Sequence, residues 1–168
     1  AAAEALPGNF VAQYNLGLVH SALKNYPAAE EAYNQALALE PDNANCLNNL
    51  GWLQFEQGNY GGAVIAFRKA MDANPALEVP FLNLARALAK NGQQEEALKQ
   101  WQNAVRRFPD SEGANLGLAD AYYEMNRYIR ARSMDVLVEF SPQLIRRRIE
   151  PPSSPTRLSR TRVSVCRQ

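Results

Sequence analysis

The feature that most constrains this chain is a motif that returns every 34 residues. Each copy has a leucine followed by glycine or alanine, then an alanine, an aromatic residue, a second alanine and a proline. The three full copies are Leu16, Gly17, Ala29, Tyr33, Ala36 and Pro41; Leu50, Gly51, Ala63, Phe67, Ala70 and Pro75; and Leu84, Ala85, Ala97, Trp101, Ala104 and Pro109. A fourth copy keeps Leu118, Ala119 and Ala131. Self-similarity at a fixed period of this length indicates stacked structural repeats, because one unit cannot bury its apolar face alone.

The spacing within each copy predicts two helices. In the first copy, Ala29, Tyr33 and Ala36 follow one another at intervals of four and three, which places them on one apolar stripe of an amphipathic helix. A proline after them ends that helix. Upstream, Gly17 lies inside another helical segment, where glycine costs about 1 kcal/mol relative to alanine. A close approach between the two helices is the expected compensation.

These residues and their order resemble the tetratricopeptide repeat, a helix-turn-helix unit of this length. The resemblance implies an all-α fold, a right-handed α-solenoid, and the role of a protein–protein interaction scaffold. We expect four repeats, at residues 10–43, 44–77, 78–111 and 112–145. The last is degenerate, since Asp135 occupies the position of the aromatic residue.

The two ends of the chain differ from the repeats. Residues 1–9 match the end of a second repeat helix and are interpreted as the remnant of an upstream repeat, with poorly held structure. Residues 146–168 contain seven arginines and only one acidic residue, whereas residues 1–145 contain 11 basic and 16 acidic residues. The prolines and like charges predict a basic, disordered tail. An altered reading frame or a splice product would also explain this stretch.

Composition argues against several classes of site. The two cysteines lie far apart, the single histidine, His20, occupies a packing position of a first helix, and neither forms a metal-ligand spacing. We therefore expect no metal, no cofactor and no catalytic residue. The chain has no apolar run long enough to span a membrane, and a reducing, cytoplasmic compartment fits its cysteine content. The expected partner is a protein or peptide.

The resemblance also implies a ligand-binding groove, because in this family the first helix of each repeat lines the concave face. The residues that it assigns to this groove are Tyr14, Asn15, Leu18, Asn48, Asn49, Trp52, Phe55, Leu82, Asn83, Arg86, Lys90, Leu116 and Asp120. Asn15, Asn49 and Asn83 would form a ladder of amides able to grip a peptide backbone. Helix packing is the alternative role for these amides. Trp52 is expected to be a binding hot spot, with packing on a neighbouring helix as its alternative.

Members of the family that clamp the terminal carboxylate of chaperones use lysine, asparagine and arginine at five positions. The residues at those positions here are Tyr14, Leu18, Asn49, Val79 and Asn83. Only Asn49 matches, and the cations that a pair of carboxylates requires are missing. The sequence therefore argues against binding of a chaperone tail.

Three other readings remain open. The chain is alternatively the substrate-presenting repeat region of a larger enzyme, such as a glycosyltransferase or a sulfotransferase. A second alternative is nucleic-acid binding through the arginine tail, which the acidic repeats and the lack of a basic face disfavour. Self-association through apolar helix faces at the ends of the solenoid is a third.

Overall fold

The computed structural model describes the backbone of residues 8–140 and the side chains of residues 8–127 and Ile129. Within these residues the structure contains seven α-helices and no strand, which confirms the predicted all-α solenoid of helical repeats. The helices are α1 (Phe10–Ala22), α2 (Tyr26–Leu39), α3 (Ala44–Glu56), α4 (Tyr60–Ala73), α5 (Glu78–Lys90), α6 (Gln94–Arg107) and α7 (Glu112–Phe140). The chain divides into two compact units, residues 1–127 and 128–168. The described part of the second unit is the C-terminal part of α7.

In the first unit, the helices form successive antiparallel pairs. Helix α1 packs on α2, α3 on α4, and α5 on α6, while α2 contacts α3 and α4 contacts α5. The pairs start at Phe10, Ala44 and Glu78, which lie 34 residues apart. The first helices also contact one another, α1 with α3 and α3 with α5. The residues of these first helices therefore come together along one side of the repeats.

Each pair is held by an aromatic side chain of its second helix, and in the first two pairs that side chain packs against a glycine of the first. Tyr33 and Phe67 are fully buried. A Cβ atom built on Gly17 would lie 2.5 Å from the Tyr33 ring, and one on Gly51 would lie 2.8 Å from the Phe67 ring. Real side chains do not approach this closely, so the glycines are required by space. The close approach expected from the sequence is present.

The third pair uses a larger aromatic residue and a different glycine. Trp101 is buried, and its indole extends from α6 to α7. A Cβ atom on Gly117 of α7 would overlap the indole ring. Position 85 on α5, equivalent to Gly17 and Gly51, is a buried alanine. The tryptophan therefore packs into a space that only a glycine on α7 leaves open.

The turn inside each of the first three repeats contains one residue with a left-handed backbone. Lys24, Gly58 and Gly92 have φ angles of 56°, 77° and 82° and are separated by 34 residues. Glycine adopts this conformation without a steric penalty, whereas lysine does not. The next position in this series, Asn126, lies within α7.

Helix α7 replaces the helix-turn-helix of the earlier repeats with one continuous helix of 29 residues. The 34-residue period places a turn near Asn126, after those at Lys24, Gly58 and Gly92, but the helix continues through this position. Asparagine, methionine and arginine in this stretch are all compatible with a helix. Although α7 is the longest described helix, neither it nor any other described helix has the length and apolarity needed to cross a membrane.

The two end segments expected from the sequence lie mostly or wholly outside the described residues. The described part of 1–9, residues 8 and 9, is exposed, and the side chain of Asn9 caps α1 by accepting a hydrogen bond from the Ala12 amide at 3.1 Å. The upstream remnant and the basic tail therefore stay predictions.

We predict that Gly17→Ala destabilises the protein by about 1–3 kcal/mol, because the new methyl group overpacks the buried Tyr33 ring. Gly61→Ala is the matched control, since Gly61 is helical, exposed and has no atom near its would-be Cβ. The control should be neutral or stabilise by up to about 1 kcal/mol. Urea unfolding followed by circular dichroism measures both. Equal stability of the two variants would contradict the packing role of Gly17.

We also predict that Cys46 is unreactive in the folded protein. The thiol is fully buried and donates to the Tyr33 carbonyl at a sulfur–oxygen distance of 3.7 Å. Burial, with a smaller effect of Glu40, raises its pKa to about 12. Alkylation by iodoacetamide at pH 8, in a Cys166→Ser background, should be on the order of 1000-fold slower in the native state than in urea. Similar rates in both states would refute the prediction.

The raised pKa of the Cys46 thiol also gives a pH dependence of stability. Because the folded chain holds this proton more tightly than the unfolded chain, the stabilisation is complete below the ordinary thiol pKa of about 8.5. It is lost as the pH rises toward about 12. Unfolding midpoints should therefore fall over this alkaline range, and less steeply in Cys46→Ala.

Candidate functional site

The residues assigned to the groove lie on the first helices of the repeats and on α7, with different degrees of exposure. The exposed ones are Asn15, Leu18, Trp52, Arg86, Lys90, Leu116 and Asp120. The half-buried ones are Tyr14, Asn48, Asn49, Phe55 and Leu82, and Asn83 is buried. The structure groups most of them into one hydrogen-bond chain and two surface depressions.

The hydrogen-bond chain joins side chains of α1, α3 and α5. Asn49 Nδ2 donates to Tyr14 Oη at 2.9 Å, and Asn48 Nδ2 donates to Asn49 Oδ1 at 3.4 Å. Asn83 Nδ2 donates to Asn48 Oδ1 at 3.1 Å, and Arg86 Nη1 donates to Asn83 Oδ1 at 3.3 Å. We call these five residues the amide chain. Each bond adds about 0.5–1.5 kcal/mol of stability, so the amide chain supports the stacking of the repeats.

The three asparagines of the expected ladder are therefore not equivalent. Asn49 and Asn83 each donate to a residue 35 positions earlier, on the preceding first helix. Asn83 is only 6% exposed, so it has little surface to offer a peptide. Asn15 is exposed and is not part of the amide chain. Helix packing, the alternative weighed for these residues, accounts for the observed contacts of Asn49 and Asn83.

One surface depression lies between α1 and α3 and has a volume of about 320 Å³. We call it the α1–α3 depression. The assigned residues that line it are Leu18, Asn49 and Trp52, joined by Glu56 and Tyr33. Trp52 is 40% exposed, although tryptophan is costly to leave in water. This depression therefore combines an apolar wall with a partly exposed indole.

A second and larger depression, of about 480 Å³, lies between α5 and α7. We call it the α5–α7 depression. It brings together the assigned residues Phe55, Arg86, Lys90, Leu116 and Asp120. Its lining also includes Gly117, Ala97 and the indole of Trp101. The volume lies within the range of about 300–1,000 Å³ typical of ligand pockets.

A pair of stacked aromatic rings connects the two depressions. The rings of Trp52 and Phe55 lie 5.2 Å apart with an angle of 13° between their planes. Trp52 lines the α1–α3 depression, and Phe55 lines the α5–α7 depression. Tyr60 of α4 supports Phe55 from its edge, at 5.2 Å and 64°. The stacked rings of Trp52 and Phe55 therefore form one aromatic ridge between the two depressions, which suits a ligand that extends over both.

Leu82 belongs to neither depression. It is half-buried and packs with the cluster of Phe81, Ala104 and Ala114. Its Cδ1 atom would lie 3.2 Å from a Cβ on Gly113. The structure therefore places this residue among core contacts between α5 and α7, although the resemblance assigned it to the groove.

Two carboxylates that line the depressions were not among the residues assigned from the sequence. Glu56 lines the α1–α3 depression and Glu124 lines the α5–α7 depression. Both are equivalent to Lys90 by the 34-residue period. Applying the period to Lys90 would have found them. Trp101 was assigned to the core, and the structure shows that its buried indole also forms part of a depression floor.

The described residues offer no arrangement suited to catalysis by a metal. They contain no group of three or more histidine, cysteine or acidic side chains that could hold an ion. His20 is half-buried, and its Nδ1 atom is enclosed without a hydrogen-bond partner in the described part of the chain. This agrees with the packing position assigned to it from the sequence.

Comparison with known proteins identifies the repeats. Two family models, both described as tetratricopeptide repeat, match residues 9–76 and 82–144. The chain belongs to the tetratricopeptide repeat family. The two matches cover α1 to α4 and then nearly all of α5 to α7.

Relatives of the tetratricopeptide chain include proteins with different overall tasks. Small glutamine-rich tetratricopeptide repeat-containing protein 2 of Mycosarcoma maydis is 29% identical over 96 residues, which are 57% of this chain and 27% of that protein. Protein O-mannosyl-transferase TMTC1 of Homo sapiens is 35% identical over 95 residues, which are 56% of this chain and 11% of that protein. The match therefore spans a minor part of each relative.

Solved structures share the tetratricopeptide fold with this chain. The Sgt2 TPR domain from Aspergillus fumigatus superposes with a TM-score of 0.67 at 18% identity, covering 88% of both chains. The first TPR of Spaghetti (RPAP3), solved with the HSP90 peptide SRMEEVD, gives 0.64 at 16% identity, covering 70% of this chain and 95% of that one. At these identities the likeness establishes the fold alone.

The amide chain gives a prediction about stability. Asn83→Ala removes a buried amide and leaves the Asn48 oxygen without its donor, so it should destabilise the protein by about 1–3 kcal/mol. Asn15→Ala changes an exposed asparagine at the equivalent position and should stay within about 0.5 kcal/mol of wild type. Thermal or urea unfolding compares the two. A similar effect of both substitutions would remove the case for a structural amide chain.

Proposed function

We propose that this tetratricopeptide chain is a non-catalytic scaffold that binds a segment or helix of a partner protein in the groove formed by α1, α3, α5 and α7. Family membership supports a role in protein interaction. The observation that carries the proposed site is the aromatic ridge of Trp52 and Phe55. It holds a partly exposed indole between two depressions, where a ligand would cover it.

The energetics of the ridge favour a binding role for Trp52. Its ring is already stacked on Phe55, so little side-chain entropy would be lost when a partner covers it. Tryptophans in such preorganised sites are enriched among binding hot spots, where truncation costs about 2 kcal/mol or more. The rim around the ridge contains the exposed Leu18, Arg86 and Asp120, which would supply apolar and polar contacts.

We further propose that the ligand is not the acidic C-terminus of a chaperone. The chain has Tyr14, Val79 and Asn83 at the positions where that clamp uses cations. Asn83 is buried, and Tyr14 accepts a hydrogen bond from Asn49. A pair of carboxylates placed at these three positions would lose its hydration without the cations that the clamp supplies from them, which opposes binding. The HSP90 peptide in the RPAP3 structure is therefore not carried over to this chain.

A second candidate function is supported by one comparison. The human relative named as an O-mannosyl-transferase is 35% identical over 95 residues, which form 11% of that protein. The chain would then present substrates to a catalytic domain of a larger enzyme. The complete open reading frame tests this candidate. A glycosyltransferase or sulfotransferase domain on either side would support it, and the absence of any catalytic domain would exclude it.

We predict that Trp52→Ala abolishes capture of the natural partner. The experiment uses the full chain as bait in lysate of the source organism, with wild type, Trp52→Ala and Ile65→Ala side by side. Ile65 is the matched control because it is an apolar residue of α4, 60% exposed and absent from both depressions. Proteins captured by wild type and by the control, and lost only with Trp52→Ala, should then be purified and titrated.

The titration decides between the groove and other surfaces. In solution with the purified partner, Trp52→Ala should weaken binding by about 30-fold or more, which corresponds to about 2 kcal/mol. Unchanged affinity for Trp52→Ala would place the binding site outside the groove and overturn the proposal.

A further inference from the structure

The two sides of the α5–α7 depression carry opposite charges. Arg86 and Lys90 line the side formed by α5, and Asp120 and Glu124 line the side formed by α7. The two residues of each pair are four positions apart, so each pair projects from one face of its helix. The depression therefore has a cationic edge and an anionic edge. A partner segment with only acidic residues would be repelled by the anionic edge, and one with only basic residues would be repelled by the cationic edge.

The surface between the two edges is largely apolar. Trp101 of α6, Leu116 of α7 and Phe55 of α3 contribute to it, together with Ala89 and Ala97. The buried indole of Trp101 packs against Gly117 and forms part of the floor. A volume of about 480 Å³ can accept one large apolar side chain. Burial of such a side chain contributes about 1.5–3 kcal/mol.

The cationic edge is held in place before any ligand binds. The guanidinium of Arg86 donates Nη1 to Asn83 Oδ1 at 3.3 Å, and its Cζ atom lies 6.0 Å from the centre of the Trp101 ring. Asn83 is itself fixed through its bond to Asn48. Arginine has five N–H donors, and this arrangement uses one of them. The others can form charge-assisted bonds to a carboxylate.

The charged residues that line the α5–α7 depression do not form ion pairs with one another in the part of the chain that the structure describes. The ion pairs among side chains that the structure describes join Arg68 to Glu96 and Arg127 to Glu124. Within that part of the chain, Arg86 and Lys90 have no carboxylate partner. Glu124 shares its charge with Arg127, so Asp120 is the stronger site for a ligand cation.

We propose that the α5–α7 depression selects a partner segment that carries a large apolar residue between an acidic residue and a basic residue. The apolar side chain enters the depression, the acidic residue pairs with Arg86 and Lys90, and the basic residue pairs with Asp120. This inference rests on the proposed function, since it assumes that the groove binds a partner segment. It adds the order of charges along the ligand, which favours one direction of binding over the other.

Synthetic peptides test the charge order. Five fluorescein-labelled 12-residue peptides share a central leucine and differ in their flanks, which are Glu then Lys, Lys then Glu, all Glu, all Lys, or all Ser. Fluorescence anisotropy with the full chain at low salt should show one mixed order binding about three- to tenfold tighter than the other four, since exposed ion pairs contribute up to about 1 kcal/mol each. The preference should shrink at high salt. Equal affinities, or no binding by any peptide, overturn the proposal.

A charge-swapped protein provides the stricter test. Arg86→Asp and Lys90→Glu combined with Asp120→Arg and Glu124→Lys exchange the two edges and should transfer the preference to the peptide with the opposite charge order. Lys69→Asp combined with Asp72→Lys is the matched control, because these residues are exposed on α4 and line neither depression. The control should keep the wild-type preference. Thermal unfolding verifies that both variants are folded, and a preference that fails to reverse overturns the proposal.

Binding of the natural partner to the variants distinguishes a failure of this inference from a failure of the proposed function. If Trp52→Ala abolishes its capture and the charge swap leaves its affinity unchanged, the groove binds the partner but the charge order does not select it. If neither change affects capture, both the groove and the charge order are wrong.

Discussion

The packing of a buried aromatic ring against a residue with no side chain is the contact on which the rest of the structure depends. In the first repeat, the ring of Tyr33 occupies the volume that a Cβ atom of Gly17 would need, and Phe67 does the same at Gly51. This contact sets how closely the two helices of a repeat approach. The first helices of successive repeats are in turn close enough for Asn49 to reach Tyr14 and for Asn83 to reach Asn48. The amide chain on the groove is thus a consequence of packing beneath it.

The change from tyrosine or phenylalanine to Trp101 alters the groove as well as the core. The larger indole reaches α7, and position 117 must then be glycine. In the second and third repeats the equivalent positions hold Asn49 and Asn83 of the amide chain, whereas Gly117 has no amide to continue it. The space where another amide would lie becomes part of the apolar lining of the α5–α7 depression. One enlarged core residue is therefore associated with the end of the amide chain and with an apolar floor in the α5–α7 depression.

The fold was predictable from the sequence because the same local signals occur in every repeat. These signals are the 34-residue period, the apolar stripes of the helices and the glycines at close helix contacts. It could not predict the long α7, because the first repeat makes its turn at Lys24 without glycine and nothing in the motif distinguishes Asn126 from Lys24. The candidate site was predictable only as a helix face. Asn15 and Asn83 occupy equivalent positions, yet one is exposed and the other buried, because Asn83 has Asn48 as an acceptor 35 residues earlier.

The amide chain has a direction, and Arg86 determines it. A guanidinium can only donate, so Asn83 must turn its oxygen toward Arg86 and its NH₂ group toward Asn48. The same orientation passes through Asn48 and Asn49 and ends at Tyr14, whose oxygen accepts the last bond. Each amide dipole then points the same way, which strengthens neighbouring bonds. The Tyr14 hydroxyl accepts this bond and keeps its own proton for donation to another group. The cation Arg86 on α5 therefore orients a hydrogen-bond donor, Tyr14, on α1.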